Sequence, residues 1–246
     1  MYAGSPPLEP WETDDWQWFH EHRQVITEAD WLSCPNPGSL VDYANQQGTA
    51  TRRKFFLAGA ACVRRLWHLL EVPESRVAVQ AAEDYAEGHI TADQLYKASA
   101  AAQVYDRWPA SDPRFWAALV ASRLRHDIRQ NHGDAEETLY ALSDAPKVFG
   151  EDEAKVHAEK RAIAHLYRCV LGNPYRAAIF IPGWRTNTSI ALAHQMYESR
   201  DFSAMPILAD ALQDAGCTSD DILNHCREPG EHVRGCWVID LVLGKA

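Results

Sequence analysis

Apolar residues recur along most of this chain at the spacing of α-helices. Residues 51–70 form the clearest run, apolar on nearly every side between two basic ends, as is typical of a central helix. Thr27 begins a sequence that resembles a capping box, with Asp30 in place of the usual Glu or Gln. Only residues 178–181 look extended, and they are too few to define a sheet. We therefore predict an all-α fold, a single bundle of about ten helices over residues 27–246.

Residues 1–26 differ from the rest of the chain, because they combine prolines and acidic residues with large aromatic side chains. We predict that this segment is an extended N-terminal arm. Aromatic side chains of this kind either fill a groove on a partner protein or fold back onto their own domain, since exposed tryptophan clusters are unfavourable. The candidate partner-binding residues are Trp11, Trp16, Trp18 and Phe19.

The overall charge narrows the possible partners. A formal net charge of −10 disfavours a general affinity for nucleic acids, which requires clustered basic residues, and also disfavours anionic membrane surfaces. The first ten residues show neither the basic start nor the apolar core of a secretory signal. Because the six cysteines follow no tight disulfide framework, we predict reduced thiols and a cytoplasmic protein.

Potential metal ligands are densest near the C-terminus. Structural Zn²⁺ sites use four Cys or His ligands, and Cys226, His232 and Cys236 supply three candidates within eleven residues. Further candidates are Cys217, His225 and a second helical pair, His165 and Cys169. The alternative is that the cysteines are small buried apolar side chains, because no Cys-x-x-Cys motif is present. Zinc is therefore a possible cofactor, and no other cofactor is indicated.

The same segment raises the question of catalysis. If the residues after Gly230 are helical, His232, Cys236 and Asp240 share one stripe. Those are the residue types of a thiol enzyme, but three groups in line on one helix do not converge on a reacting atom, so we assign no catalytic residue. Asp240 has apolar neighbours and needs a cationic partner if it is buried. We predict a buried ion pair, with Arg234 as one candidate partner; the others are Arg64, Arg65 and Arg227.

A basic patch is a further candidate site. Arg53, Arg64 and His68 lie within about 60° of one another on an ideal helix. Such a patch would bind a phosphate or an acidic segment of a partner. The alternative is that these cations form internal ion pairs or lie at solvated helix ends.

Two blocks of the chain resemble a family of uncharacterised bacterial all-helical proteins. The blocks comprise residues 27–32, 52–58, 62–70, 172–176, 208–217 and 232–244, the last reading His-Val-Arg-Gly-Cys-Trp-Val-Ile-Asp-Leu-Val-Leu-Gly. The resemblance implies an all-helical fold and an adaptor role, and it assigns no catalytic residue. It does not extend to the arm at residues 1–26.

From these observations we predict a protein–protein interaction module, an adaptor or regulatory subunit of a cytoplasmic bacterial system, with another protein as its partner. The alternative is a metal-binding or thiol-dependent enzyme that uses the C-terminal Cys/His cluster.

Overall fold

The computed structural model describes residues 27–48, 51–125, 145–176 and 178–245. Within these ranges the chain forms eleven α-helices and no strand, which confirms the predicted all-α class. The helices are α1 (Glu28–Ser33), α2 (Pro37–Gln46), α3 (Arg52–Arg65), α4 (Pro73–Ala86), α5 (Ala92–Ala101), α6 (Pro113–Ser122), α7 (Glu153–Leu171), α8 (Asn187–Ser199), α9 (Met205–Asp214), α10 (Asp220–Arg227) and α11 (Trp237–Leu243).

Helix starts follow the local sequence closely. The Thr27 hydroxyl accepts a hydrogen bond from the Asp30 backbone N–H at 3.2 Å, and the Asp30 carboxylate accepts one from the Thr27 N–H at 2.8 Å. Asp thus closes the capping box that was predicted here. Pro73 and Pro113 each occupy the first turn of a helix, where no intrahelical donor is needed.

Helix ends were predicted less well. α3 stops at Arg65 and not at residue 70, because the Leu66 N–H turns back to the Val63 carbonyl and a short 3₁₀ turn follows over Trp67–Leu69. The last helix begins at Trp237 and not directly after Gly230. The predicted aromatic arm at residues 1–26 lies outside the described residues, as do residues 126–144.

Two hydrophobic clusters make up the described core. The first surrounds α3, whose Phe56 and Val63 are fully buried, and includes residues from α1 to α7. The second runs from the C-terminal end of α7 through α8–α11. Val233, in the loop between α10 and α11, packs against both clusters. No described helix has the length and apolar character that a bilayer span requires.

Candidate metal centre

Four potential metal ligands converge where the two hydrophobic clusters meet. Cys169 comes from the last turns of α7, and His225 from the last turn of α10. His232 and Cys236 come from residues 228–236, the loop that joins α10 to α11. In the described ranges, these four side chains have ligand atoms that lie close enough together to hold one metal ion. We refer to them as the Cys₂His₂ centre.

The distances within the Cys₂His₂ centre suit tetrahedral coordination. His232 Nδ1 lies 3.6 Å from Cys169 Sγ, and His225 Nε2 lies 3.3 Å from Cys236 Sγ. All four ligand atoms lie within 4.8 Å of one another. In a tetrahedral Zn²⁺ site, with metal–ligand distances of about 2.0–2.3 Å, neighbouring ligand atoms are roughly 3.3–3.8 Å apart. The longest separations would need to shorten by about 1–1.5 Å to reach that geometry.

A tight turn directs the loop ligands into the centre. Gly235 has a φ of +85°, and a Cβ there would lie 2.9 Å from Leu57 Cδ1 of α3, so this position requires glycine. Cys236 follows as the N-cap residue of α11, with an extended ψ of 125°. His232 and Cys236 therefore lie in a loop and at a cap. The predicted helical stripe of His232, Cys236 and Asp240 is wrong, because residues 231–235 are not helical.

The surroundings shift the pKa values of the two thiols of the centre in opposite directions. Burial by itself disfavours a Cys236 thiolate, but the hydrogen bond from Cys169 and the imidazoles of His225 and His232 hold the pKa of Cys236 well below its usual range. That same hydrogen bond, together with burial, raises the pKa of Cys169. Both cysteines are at most 1% exposed. Because a metal ligand must be deprotonated, a bound cation would displace the proton of this hydrogen bond.

Lys54 reinforces the centre from α3. Its ammonium donates to the Val170 carbonyl at 2.6 Å and to the Gly235 carbonyl at 3.1 Å, so it ties together the two segments that carry the cysteines. Its positive charge also lowers the pKa of Cys169, although the hydrogen bond that Cys169 donates to Cys236, together with burial, outweighs that effect. The Lys54 ammonium would therefore partly compensate the negative charge that the two cysteines carry as thiolates.

His165 lies beside the centre without joining it. Its Nε2 is buried and finds no hydrogen-bond partner in the described part of the chain. Burial, followed by repulsion from His232 and His225, lowers the pKa of His165. A Cβ on Gly230 would lie 2.3 Å from His165 Nε2, so the loop backbone passes directly over this imidazole. His165 is therefore held as the neutral form against the loop that carries His232.

The predicted ligand set was partly different. His232 and Cys236 belong to the centre, whereas Cys226 does not: it is buried in the second hydrophobic cluster, where burial strongly raises its pKa. Cys217 is buried in the same cluster. Cys169 and His225, which the sequence offered only as further candidates, complete the group. Adjacent helical residues point about 100° apart, so His225 and Cys226 cannot both face the same point.

Asp240 is buried as predicted, but its partner is different. Its side chain is 3% exposed and accepts from Arg53 at 2.7 and 3.0 Å, while the Lys54 ammonium lies 3.0 Å away. Arg234 lies instead 3.7 Å from Glu83. The correction has a topological reason, since α11 presents Asp240 to the N-terminal end of α3. Asp240 therefore takes no part in a thiol–imidazole–carboxylate arrangement.

The basic patch predicted on α3 is not formed as expected. Arg53 is held by Asp240 and by Glu87, which lies 3.0 Å from its guanidinium. Arg64 pairs with Glu83 at 2.5 Å. His68 is exposed in the 3₁₀ turn, beyond the end of α3. Internal ion pairs thus account for both arginines, the alternative that the sequence left open.

A search of protein-family models, of curated proteins and of solved structures returned no match for this chain. The resemblance described above therefore stays a prediction, and the inferences below rest on the residues themselves.

Proposed function

We propose that this chain is a zinc-binding protein in which a structural Cys₂His₂ site fastens the C-terminal segment to the helical bundle. The observation that carries the proposal is the convergence of Cys169, His225, His232 and Cys236 within 4.8 Å from three separate segments. Thiolate and imidazole ligands in a tetrahedral array favour Zn²⁺ over the oxygen-seeking Mg²⁺ and Ca²⁺.

The number of protein ligands supports a structural role. Catalytic zinc sites use three protein ligands and leave one position for water or substrate, whereas structural sites are closed by four. The two cysteines are buried, which also separates the site from solvent. A bound ion would connect α7, α10 and the N-cap of α11 at one point. Because such a site does not exist in the unfolded chain, its binding free energy would stabilise the fold.

Three buried cysteines offer a matched test of this proposal. Protein is purified without chelators or metal-affinity resin, and zinc is measured by elemental analysis. We expect one equivalent in the wild type and in Cys226→Ser, and a loss of zinc in Cys236→Ser and Cys169→Ser. Cys226 is the control because it is buried in the same cluster but lies outside the Cys₂His₂ centre.

Stability and spectroscopy provide further readouts of the same site. Chelation of the wild type should lower the thermal midpoint by about 10 °C, given the typical dependence of this midpoint on ligand binding in chains of this size. Co²⁺ substitution should give the visible absorption of tetrahedral thiolate coordination, and Cys226→Ser should leave that spectrum unchanged. Metal-free wild type with no response to added Zn²⁺ would contradict the proposal.

The protein-interaction role predicted from the sequence stays a second proposal. Among the described residues, three of the seven exposed large apolar side chains fall within one stretch before α8, namely Tyr175, Ile179 and Ile181. The aromatic arm at residues 1–26, which was predicted to bind the partner, lies outside the described residues. A closed structural metal site is compatible with such a role, since it leaves the surface free for binding.

A further inference from the structure

A small cavity lies next to the Cys₂His₂ centre, and His232 is one of its lining residues. Its volume is about 110 Å³, the space of three to four water molecules. Apolar side chains form part of the wall, including Leu57, Phe202 and Val233. The rest of the wall consists of two glutamates, His232 of the Cys₂His₂ centre, and three arginines from different elements, namely Arg64, Arg200 and Arg234.

The three arginines share a single buried carboxylate. Glu83, 3% exposed, accepts from Arg64 at 2.5 and 2.9 Å and pairs with Arg200. Arg234 lies 3.7 Å from the same carboxylate. The second glutamate of the wall, Glu231, pairs with an arginine outside the cavity, Arg65, at 2.5 Å. The cavity therefore has more positive than negative charge on its wall, although the whole chain has a net charge of −10.

Arg200 is a residue of the cavity wall whose own hydrogen bonds are incomplete. Its Nη2 pairs with Glu83 and donates to Gln80 at 3.1 Å, but its Nε is buried and has no acceptor within the described residues. A buried guanidinium N–H without an acceptor is unfavourable and is ordinarily satisfied by a ligand or by water. Arg200 also has a φ of 59°, the one non-glycine residue in the described ranges with a left-handed backbone.

The left-handed backbone of Arg200 is unfavourable for a residue with a side chain. A glycine at the C-cap of α8 would avoid a cost of about 1–2 kcal/mol. The arginine instead places a guanidinium in the cavity wall, so the strain accompanies a specific side-chain position. The side chains of Arg64 and Arg200 are 24% and 31% exposed, so solvent and small solutes can reach the cavity.

We propose that this cavity binds a phosphate group through Arg64, Arg200 and Arg234. Guanidinium groups bind phosphate oxygens through paired N–H donors, and three of them here face a volume that holds one such group. The Nε of Arg200 is buried away from the cavity in this structure, so a small shift of the side chain would be needed to give this unpaired donor a phosphate oxygen as its acceptor. The proposal rests on these arginines and not on metal binding at the Cys₂His₂ centre.

Inorganic phosphate is the probe, and its binding is followed by ³¹P NMR and equilibrium dialysis at constant ionic strength set with chloride. We expect saturable binding of one equivalent to the wild type. Arg200→Gln should weaken the affinity about tenfold or more, because it removes a charged hydrogen-bond donor. Arg161→Gln is the matched control, since Arg161 is exposed on α7 away from the cavity wall, and it should bind as the wild type does.

Two further variations keep the test decisive. If circular dichroism shows that Arg200→Gln does not fold, Arg200→Lys retains the charge, lacks the Nε donor, and should also bind more weakly. Tighter binding of methyl phosphate than of inorganic phosphate would support a phosphomonoester ligand, and the reverse order would support free phosphate. Binding that does not saturate, or that is equal in wild type and Arg200→Lys, would overturn the proposal.

Discussion

Asp240 and Glu83 are both buried carboxylates that hold basic side chains inside the bundle, but their surroundings differ. The cations around Asp240 have many other acceptors: Arg53 also donates to Glu87 and to the Tyr197 hydroxyl, and Lys54 donates to two backbone carbonyls. Around Glu83 the Nε of Arg200 has no acceptor, and a cavity adjoins the arginines. The same kinds of side chain thus form a fully hydrogen-bonded network around Asp240 and an incompletely hydrogen-bonded one around Glu83.

Burial of a charged group therefore does not by itself indicate function. Asp240 is an interruption in an apolar sequence that the structure explains completely by its ion pairs. Glu83 also has its own hydrogen bonds satisfied, and those from Arg64 and Arg200 outweigh burial and lower its pKa. What distinguishes the second region is a buried donor without an acceptor on Arg200, a residue that also lines a cavity. The comparison can be tested by removing each carboxylate in turn.

The largest effect is expected for Asp240→Asn. The substitution leaves the Arg53 guanidinium and the Lys54 ammonium without their shared buried carboxylate, which typically costs about 3–5 kcal/mol. Urea denaturation should therefore show a large fall in the free energy of unfolding, with no recovery on addition of phosphate. A loss below about 1 kcal/mol would mean that the network is as weak as a surface ion pair.

A smaller effect is expected for Glu83→Gln. Removal of this carboxylate leaves three guanidinium groups beside a cavity that water or an anion can enter, so we expect a loss of about 1–3 kcal/mol. Added phosphate should restore part of that stability, because it can take over the role of the carboxylate. Phosphate should restore stability to Glu83→Gln and not to Asp240→Asn. Recovery of stability in both variants, or in neither, would contradict the difference that we infer between the two regions.

The smallest expected effect is a change in the pH dependence of the free energy of unfolding, to which His165 and the buried carboxylates contribute over different pH ranges. The pKa of His165 is lowered below its ordinary 6.5, mainly by burial, so the unfolded chain binds more protons and stability falls as the pH drops below that value. The pKa of Glu83 is lowered below 4.5, so its contribution is lost only in more acidic solution. We expect His165→Gln to reduce the fall in unfolding free energy between pH 7 and pH 5, and to leave the steeper acid transition in place.

Local sequence was sufficient for most of the fold. The starts of α1, α4, α5 and α6 are encoded by side chains within four residues, and capping or N1-proline geometry is a short-range property. The region before α11 was predicted wrongly, because the spacing of His232, Cys236 and Asp240 suits a helix while Gly235 turns the backbone. There the close approach of Leu57, which is distant in sequence, decides the conformation.

The candidate sites depended on tertiary structure to a greater degree. The sequence by itself determined the class of fold, the burial of Asp240 and the residue types available as metal ligands near the C-terminus. It could not choose Cys169 over Cys226, because that choice depends on α7 lying beside the loop between α10 and α11. It placed Arg64 in a candidate phosphate-binding patch with Arg53 and His68, but it did not indicate that Arg200 and Arg234, which lie far away along the chain, line a cavity with Arg64. Spacing along a helix reports which face a residue occupies, but only packing decides which faces meet.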